Sequence, residues 1–213
     1  MDHTQQTSRL LQLPKFILSH ILSEVAAFSM STLRTVMETS PVLAKAAADA
    51  RVYKAINMRI LALHPLTTVH MYKDIMERAL ASGNVEAHYI KAIVEYFHND
   101  NQEAGLHFLK VAAQGSYTDG IYLYGIILCC RGQMEEGTAY LDSLGWRENM
   151  AKGDRTWKSI KRTLHGVQVR ELPIYKETLY EIGLTLTCEE EDIRIRCDDC
   201  YYFKQMAKFV FMI

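Results

Sequence analysis

Cys197-Asp198-Asp199-Cys200 is the spacing in this chain that most directly suggests chemistry. Two intervening residues let both thiolates reach one tetrahedral zinc ion. Cys188, nine residues upstream of Cys197, could supply a third ligand, and His165 a remote fourth. No second Cys-x-x-Cys completes the set, so two unliganded thiols in a turn are the plainer expectation. The expected cofactor is none, with zinc on Cys188, Cys197 and Cys200 as the alternative. Cys129-Cys130 closes the apolar run Ile121–Cys130 and reads as packing. The eight histidines form no His-Glu-x-x-His pair. Glu189-Glu190-Glu191-Asp192 lacks the glycine of a calcium loop and reads as a solvated turn. There is no Gly-x-Ser-x-Gly, no phosphate-binding loop and no visible Ser/His/Asp grouping. The expectation is a protein that is not an enzyme.

Charge narrows the partners. Lys plus Arg number 24 and Asp plus Glu 25, a net of −1 over 213 residues. That balance argues against bulk nucleic acid or an anionic membrane as the main partner. Locally the picture differs. Residues 147–170 hold seven basic and two acidic side chains, and residues 171–200 hold three basic and nine acidic ones. Trp157 with Lys152, Lys158, Lys161 and Arg162 could touch RNA or an acidic partner, although an ordinary helix face explains them more simply. No run approaches the roughly 18 apolar residues of a membrane span. The polar start Met1–Thr7 is unlike a secretory signal, and five cysteines then read as thiols or metal ligands of an intracellular protein, not as a disulfide framework.

The elements that must carry these residues follow from periodicity. Glu86-Ala87-His88-Tyr89-Ile90-Lys91-Ala92-Ile93-Val94 lies over Asp119-Gly120-Ile121-Tyr122-Leu123-Tyr124-Gly125-Ile126-Ile127 at an offset of 33. The same offset sets Glu103-Ala104 on Glu136-Gly137. Small residues after the tyrosine (Ala92, Gly125) permit close helix approach. The spacing predicts two helix–turn–helix units, preceded by a half unit ending in Ala81-Ser82-Gly83. Paired helices cannot bury both faces alone, so they stack into a short solenoid.

Ahead of the array, Leu13, Ile17, Ile21 and Val25 recur every fourth residue, with Phe16 and Leu22 widening the stripe. Ser31 is the expected cap of a second helix, and Ser40-Pro41 opens a third over Val42–Ala50. In the tail, Ile193, Ile195 and Cys197 alternate with arginines as a short strand would. Phe203, Met206, Phe209, Val210 and Met212 form a stripe that should dock on the body.

Leu13-Pro14, Ile17-Leu18, Ile21-Leu22 and Ser31-Thr32-Leu33-Arg34-Thr35-Val36 together resemble the F-box. Gly83-Asn84-x-Glu86-Ala87-x-Tyr89 with Glu95-Tyr96-Phe97 resembles Sel-type or tetratricopeptide-like repeats. The order F-box, repeat, Cys-x-x-Cys tail is similar to a group of plant proteins. Lys15-Phe16 stands where an acidic residue commonly precedes the apolar pair, and the third helix lacks the familiar Cys-Lys-x-Trp stretch. The resemblance implies a mainly all-α fold: a three-helix F-box-like domain (11–58), a helical-repeat solenoid (66–145) and a small irregular tail (146–213). It implies a substrate-recognition subunit of a Skp–cullin–F-box ubiquitin ligase. Leu13, Pro14, Ile17, Leu18, Ile21, Leu22, Leu33 and Val36 would bind a Skp-type adaptor and, through it, a cullin. The repeats would hold a target protein that the sequence does not identify. The alternative is a helical-repeat scaffold with a degenerate F-box and no ligase role.

Overall fold

The computed structural model describes residues 9–170, 172–183, 197–198 and 200–213. Lys15–Phe28 (α1), Met30–Thr39 (α2), Pro41–Ala47 (α3) and Ala50–Ala55 (α4) form the N-terminal bundle. Leu18, Leu22, Ala26, Leu33, Leu43, Ala46 and Val52 meet in its core, each almost fully buried. Ser19, equally buried, donates its hydroxyl to the Ala46 carbonyl at 3.0 Å and ties α1 to α3 without an orphaned polar atom.

Serines set the boundaries, with one correction. Ser29, not Ser31, caps α2: its extended backbone lets Oγ accept from the Thr32 amide at 3.2 Å. Ser31 already lies inside the helix and bonds to Ser29 instead. Ser40 accepts from the Val42 amide with Pro41 at the first helical position, as expected. The single helix expected over Val42–Ala50 is in fact two. Asp49 accepts from the Arg51 amide at 3.0 Å and starts α4 afresh, so the bundle has four helices rather than three.

Pro65–Met71 (α5) and Lys73–Ala81 (α6) lead into the array. Val85–Ile93 (α7) is prolonged by a wide turn over Val94–His98, then Gln102–Gln114 (α8), Thr118–Cys130 (α9) and Met134–Ser143 (α10) follow. α9 is the axis of the domain: every residue from Tyr122 to Cys130 is buried. Gly125 and Gly137 bring α9 and α10 together: a Cβ at Gly125 would lie 2.9 Å from the Gly137 carbonyl oxygen, and one at Gly137 2.7 Å from that of Gly125. This is the close approach that the repeat alignment anticipates.

The tail departs most from expectation. Its described residues form three helices, Ala151–Thr163 (α11), Pro173–Ile182 (α12) and Tyr201–Val210 (α13), and no strand. The strand expected around Ile193 falls outside the described residues. α7, α9 and α11 begin at Val85, Thr118 and Ala151, 33 residues apart, so the repeat spacing runs on beyond residue 145. The surviving signal is slight: Gly153 and Ile160 take the places of Gly120 and Ile127. The tyrosine of the pattern is replaced by Arg155.

α13 docks as its stripe predicts. Met206, Phe209 and Val210 are buried, whereas Met212 lies beyond the helix and is exposed. Tyr122 donates to Gln205 Oε1 at 2.7 Å, and the Trp157 indole N–H donates to the Ile213 carbonyl at 2.6 Å. Tyr201 stacks on Trp146 at 3.7 Å between ring centroids. Asp142 anchors the same corner, accepting from Trp146 Nε1 at 2.7 Å, from Tyr202 and from Arg147. Burial alone would raise the Asp142 pKa, but these three donors outweigh it and hold the carboxyl below its usual range.

Candidate functional site

Three surfaces bear on function. The first is the outer face of α1. Of the eight positions expected to contact an adaptor, Leu13, Pro14 and Ile21 are exposed, Ile17 and Val36 are half-buried, and Leu18, Leu22 and Leu33 lie in the bundle core. At 3.6 residues per turn, Ile17, Ile21 and Phe28 fall within about 40° of one another, facing away from Leu22 and Ala26, with exposed His20 and Glu24 standing between them and Phe16. Phe16 is 61% and Phe28 84% exposed. Leu13, in the turn before α1, is exposed as well. Phe28 escapes a four-residue stripe count because it falls three residues after Val25.

The second surface joins the bundle to the array. Gly83 adopts φ +75°, which releases the chain from α6 and lets Asn84 start α7. Asn84 is 2% exposed. Its Oδ1 accepts from the Glu86 and Ala87 amides, both at 3.0 Å. Its Nδ2 donates to the carbonyls of Tyr53, Lys54 and Ile56 at 3.1, 3.1 and 2.8 Å. Glu86 accepts from the Met58 amide and from Arg59 Nε, the latter at 3.2 Å. The Gly-Asn-x-Glu-Ala motif is therefore the joint that fixes the bundle on the array.

Asp119 occupies the place of Glu86 one repeat later and accepts from Ser159 Oγ at 2.7 Å, tying α9 to α11. Burial, the largest influence, raises its pKa against the opposing Ser159 hydrogen bond and the Arg59 charge. A carboxyl raised in the folded state contributes most stability below its ordinary pKa and loses that contribution as pH rises through the folded value. Asp119→Asn is therefore expected to melt above wild type near pH 7, the gap closing as pH falls towards about 4. Equal melting temperatures across that range would contradict this reading.

The third surface is a groove of about 760 Å³ between α8, α9, α10 and α11. Ala113, Ile121, Tyr140 and Leu144 form an apolar floor, and Lys152 and Arg155 stand on one wall.

The cysteines carry less. Burial pushes the Cys129 thiol up to about 12 and raises that of Cys130 further, as packing residues require. The Sγ atoms of Cys197 and Cys200 lie 3.5 Å apart, with Cys200 buried and Cys197 partly so. Among the described residues no group of three or more His, Cys, Asp or Glu could hold a metal ion. Cys188 lies outside the described residues. Trp157 is 3% exposed, so it stacks on Tyr122 instead of offering a platform for RNA. Among the described residues no helix is long and apolar enough to cross a membrane.

The family model for plant tetratrico peptide repeats matches residues 61–165, a span that takes in α11. An Arabidopsis thaliana chain, "F-box protein At2g35280", is 36% identical over 141 residues, 66% of this chain and 86% of that protein. A second from the same organism, "Putative F-box protein At1g67623", is 28% identical over 120 residues, 56% of this chain and 40% of that protein. No solved structure matches the chain.

Proposed function

Since the chain belongs to the plant F-box proteins that carry tetratricopeptide-type repeats, we propose that it is a non-enzymatic adaptor whose N-terminal bundle docks on a Skp-type protein. A cullin joins through that protein, and the repeats hold a target for ubiquitination in the nucleus or cytoplasm. The observation that carries this reading is the exposure of Leu13 just before α1 and of Phe16, Ile21 and Phe28 on it, outside a bundle whose own core is already filled. Such patches on small helical bundles are covered by another helical protein. The groove floored by Ile121, Tyr140 and Leu144 supplies the apolar anchor points for a target segment, and Lys152 and Arg155 give it a preference for acidic residues.

The test is a pull-down of purified Skp adaptor by the full chain, beside a variant carrying Leu13→Asp, Phe16→Asp and Ile21→Asp. These three side chains are exposed, so the variant should keep the wild-type circular-dichroism spectrum. Loss of three apolar anchors is expected to weaken binding by at least about 100-fold. Failure of the folded wild-type chain to bind would sink the ligase reading. It would leave the helical-repeat scaffold, which Lys15 at the start of the α1 face favours by placing a cation beside the anchors.

A further inference from the structure

Lys158, Lys161 and Arg162, the part of the basic stretch beyond Lys152 and Arg155, take no part in the joint or in the groove described above. Lys158, Lys161, Arg162 and His165 project from α11 and the turn after it, and His64 meets them from the turn that follows Leu61–Leu63. Together with Leu63 they line an open depression of about 520 Å³ that has no acidic residue in its wall. A second depression of about 420 Å³ shares Leu63 and Arg162 and adds Arg59. Its one carboxylate, Asp119, is 9% exposed and turned onto Ser159. No described carboxylate forms an ion pair with Lys158, Lys161 or Arg162.

Concentrated unpaired charge on an otherwise near-neutral protein repels itself, and an anionic ligand relieves that repulsion. Two classes of polyanion could do so. Nucleic acid binding without sequence readout draws on aromatic stacking as well as charge. The one aromatic of this stretch, Trp157, is spent inside the core. The net charge of −1 also opposes a long polyphosphate backbone. A short acidic peptide meets neither objection. Lys158 to His165 spans roughly 10 Å along the helix axis, the reach of about three extended residues. Leu63 gives the depression one apolar contact between the cations.

We infer that the α11 depression, lined by His64, Lys158, Lys161, Arg162 and His165, is a docking site for a run of three or four Asp and Glu residues in a protein partner. As a statement about targets it rests on the adaptor reading, but the binding itself does not, because the cations lie on α11 and the α1 face is untouched.

The experiment measures fluorescence anisotropy of the full chain with a labelled twelve-residue peptide centred on Asp-Glu-Glu-Asp. Its comparisons are the same peptide with Asn and Gln in place of the acids, and a single-stranded RNA of matching charge. The acidic peptide is expected to bind, to weaken as salt rises, and to bind at least tenfold better than the amide peptide and the RNA. Lys158→Glu with Arg162→Glu should cost at least tenfold, and Lys158→Arg with Arg162→Lys should restore binding. Both pairs should keep wild-type melting and Skp pull-down, so that a failure here is distinct from a failure of the adaptor contact. No binding of the acidic peptide at low salt, equal binding of the amide peptide, stronger binding of the RNA, or undiminished binding by the charge-reversed chain would each overturn the assignment.

Discussion

Asn84→Ala is expected to destabilise the chain by about 2–4 kcal/mol and to uncouple the N-terminal bundle from the repeats. Two losses combine. Removing the cap of α7 orphans the amides of Glu86 and Ala87, which costs about 1 kcal/mol in comparable helices. Removing Nδ2 strips the donor shared by the carbonyls of Tyr53, Lys54 and Ile56, and a buried acceptor left unsatisfied costs about 1–3 kcal/mol. Asn84→Asp separates the two effects. It keeps the cap acceptor yet sets a buried carboxylate against three carbonyl oxygens, so it should be no better than alanine. Urea unfolding reads the total, and limited proteolysis between residues 56 and 60 reads the uncoupling. An alanine variant within about 0.5 kcal/mol of wild type, the range of an ordinary surface change, would show that the joint is held elsewhere.

Gly137→Val is the second large effect, at least about 3 kcal/mol, with Gly137→Ala costing about 1–3 kcal/mol. A Cβ at this position would lie 2.6 Å from Cys129 Sγ, 2.7 Å from the Gly125 carbonyl oxygen and 2.8 Å from the Cys129 amide nitrogen. Two of those neighbours are backbone atoms of the most buried helix in the protein, so relief requires α9 and α10 to move apart. Alanine's better helix propensity returns only about 1 kcal/mol, too little to offset the clash. Gly132→Ala is the control. It meets nothing within 4 Å, and its penalty comes only from φ +81°. Thermal melts of the three variants should rank Val below Ala at 137, with Gly132→Ala nearest to wild type. A Gly137→Ala chain as stable as wild type would mean that the helix pair gives way more easily than its geometry implies.

Much of this architecture was legible before any coordinates. Helix periods, the offset of 33, the Ser40-Pro41 start and the small residues at 125 and 137 depend on neighbours in sequence, and local sterics and hydrogen bonding decide them almost alone. Ser29 and Asp49 show the limit even there. Several serines and aspartates could cap, and the one that does is the one whose backbone stays extended when the flanking helices pack. The third repeat step at Ala151 is hidden because Arg155 replaces the tyrosine, and Gly153 packs under the Tyr201 hydroxyl of α13 where its counterpart Gly120 packs on Ala112 of the preceding helix.

For the candidate sites, residue order alone shows which side chains share a helix face, and hence that α1 carries an apolar stripe and α11 a basic one. What each face meets depends on packing between elements. That packing turned Leu18, Leu22 and Leu33 inward and left Phe16, Ile21 and Phe28 in solvent. It drew Trp157 away from the basic stretch into the core, and it brought His64 to Lys158 across nearly a hundred residues of chain. Periodicity records only that side chains lie on one side of a helix. Which side another helix covers depends on chain-distant packing, and no local spacing encodes that.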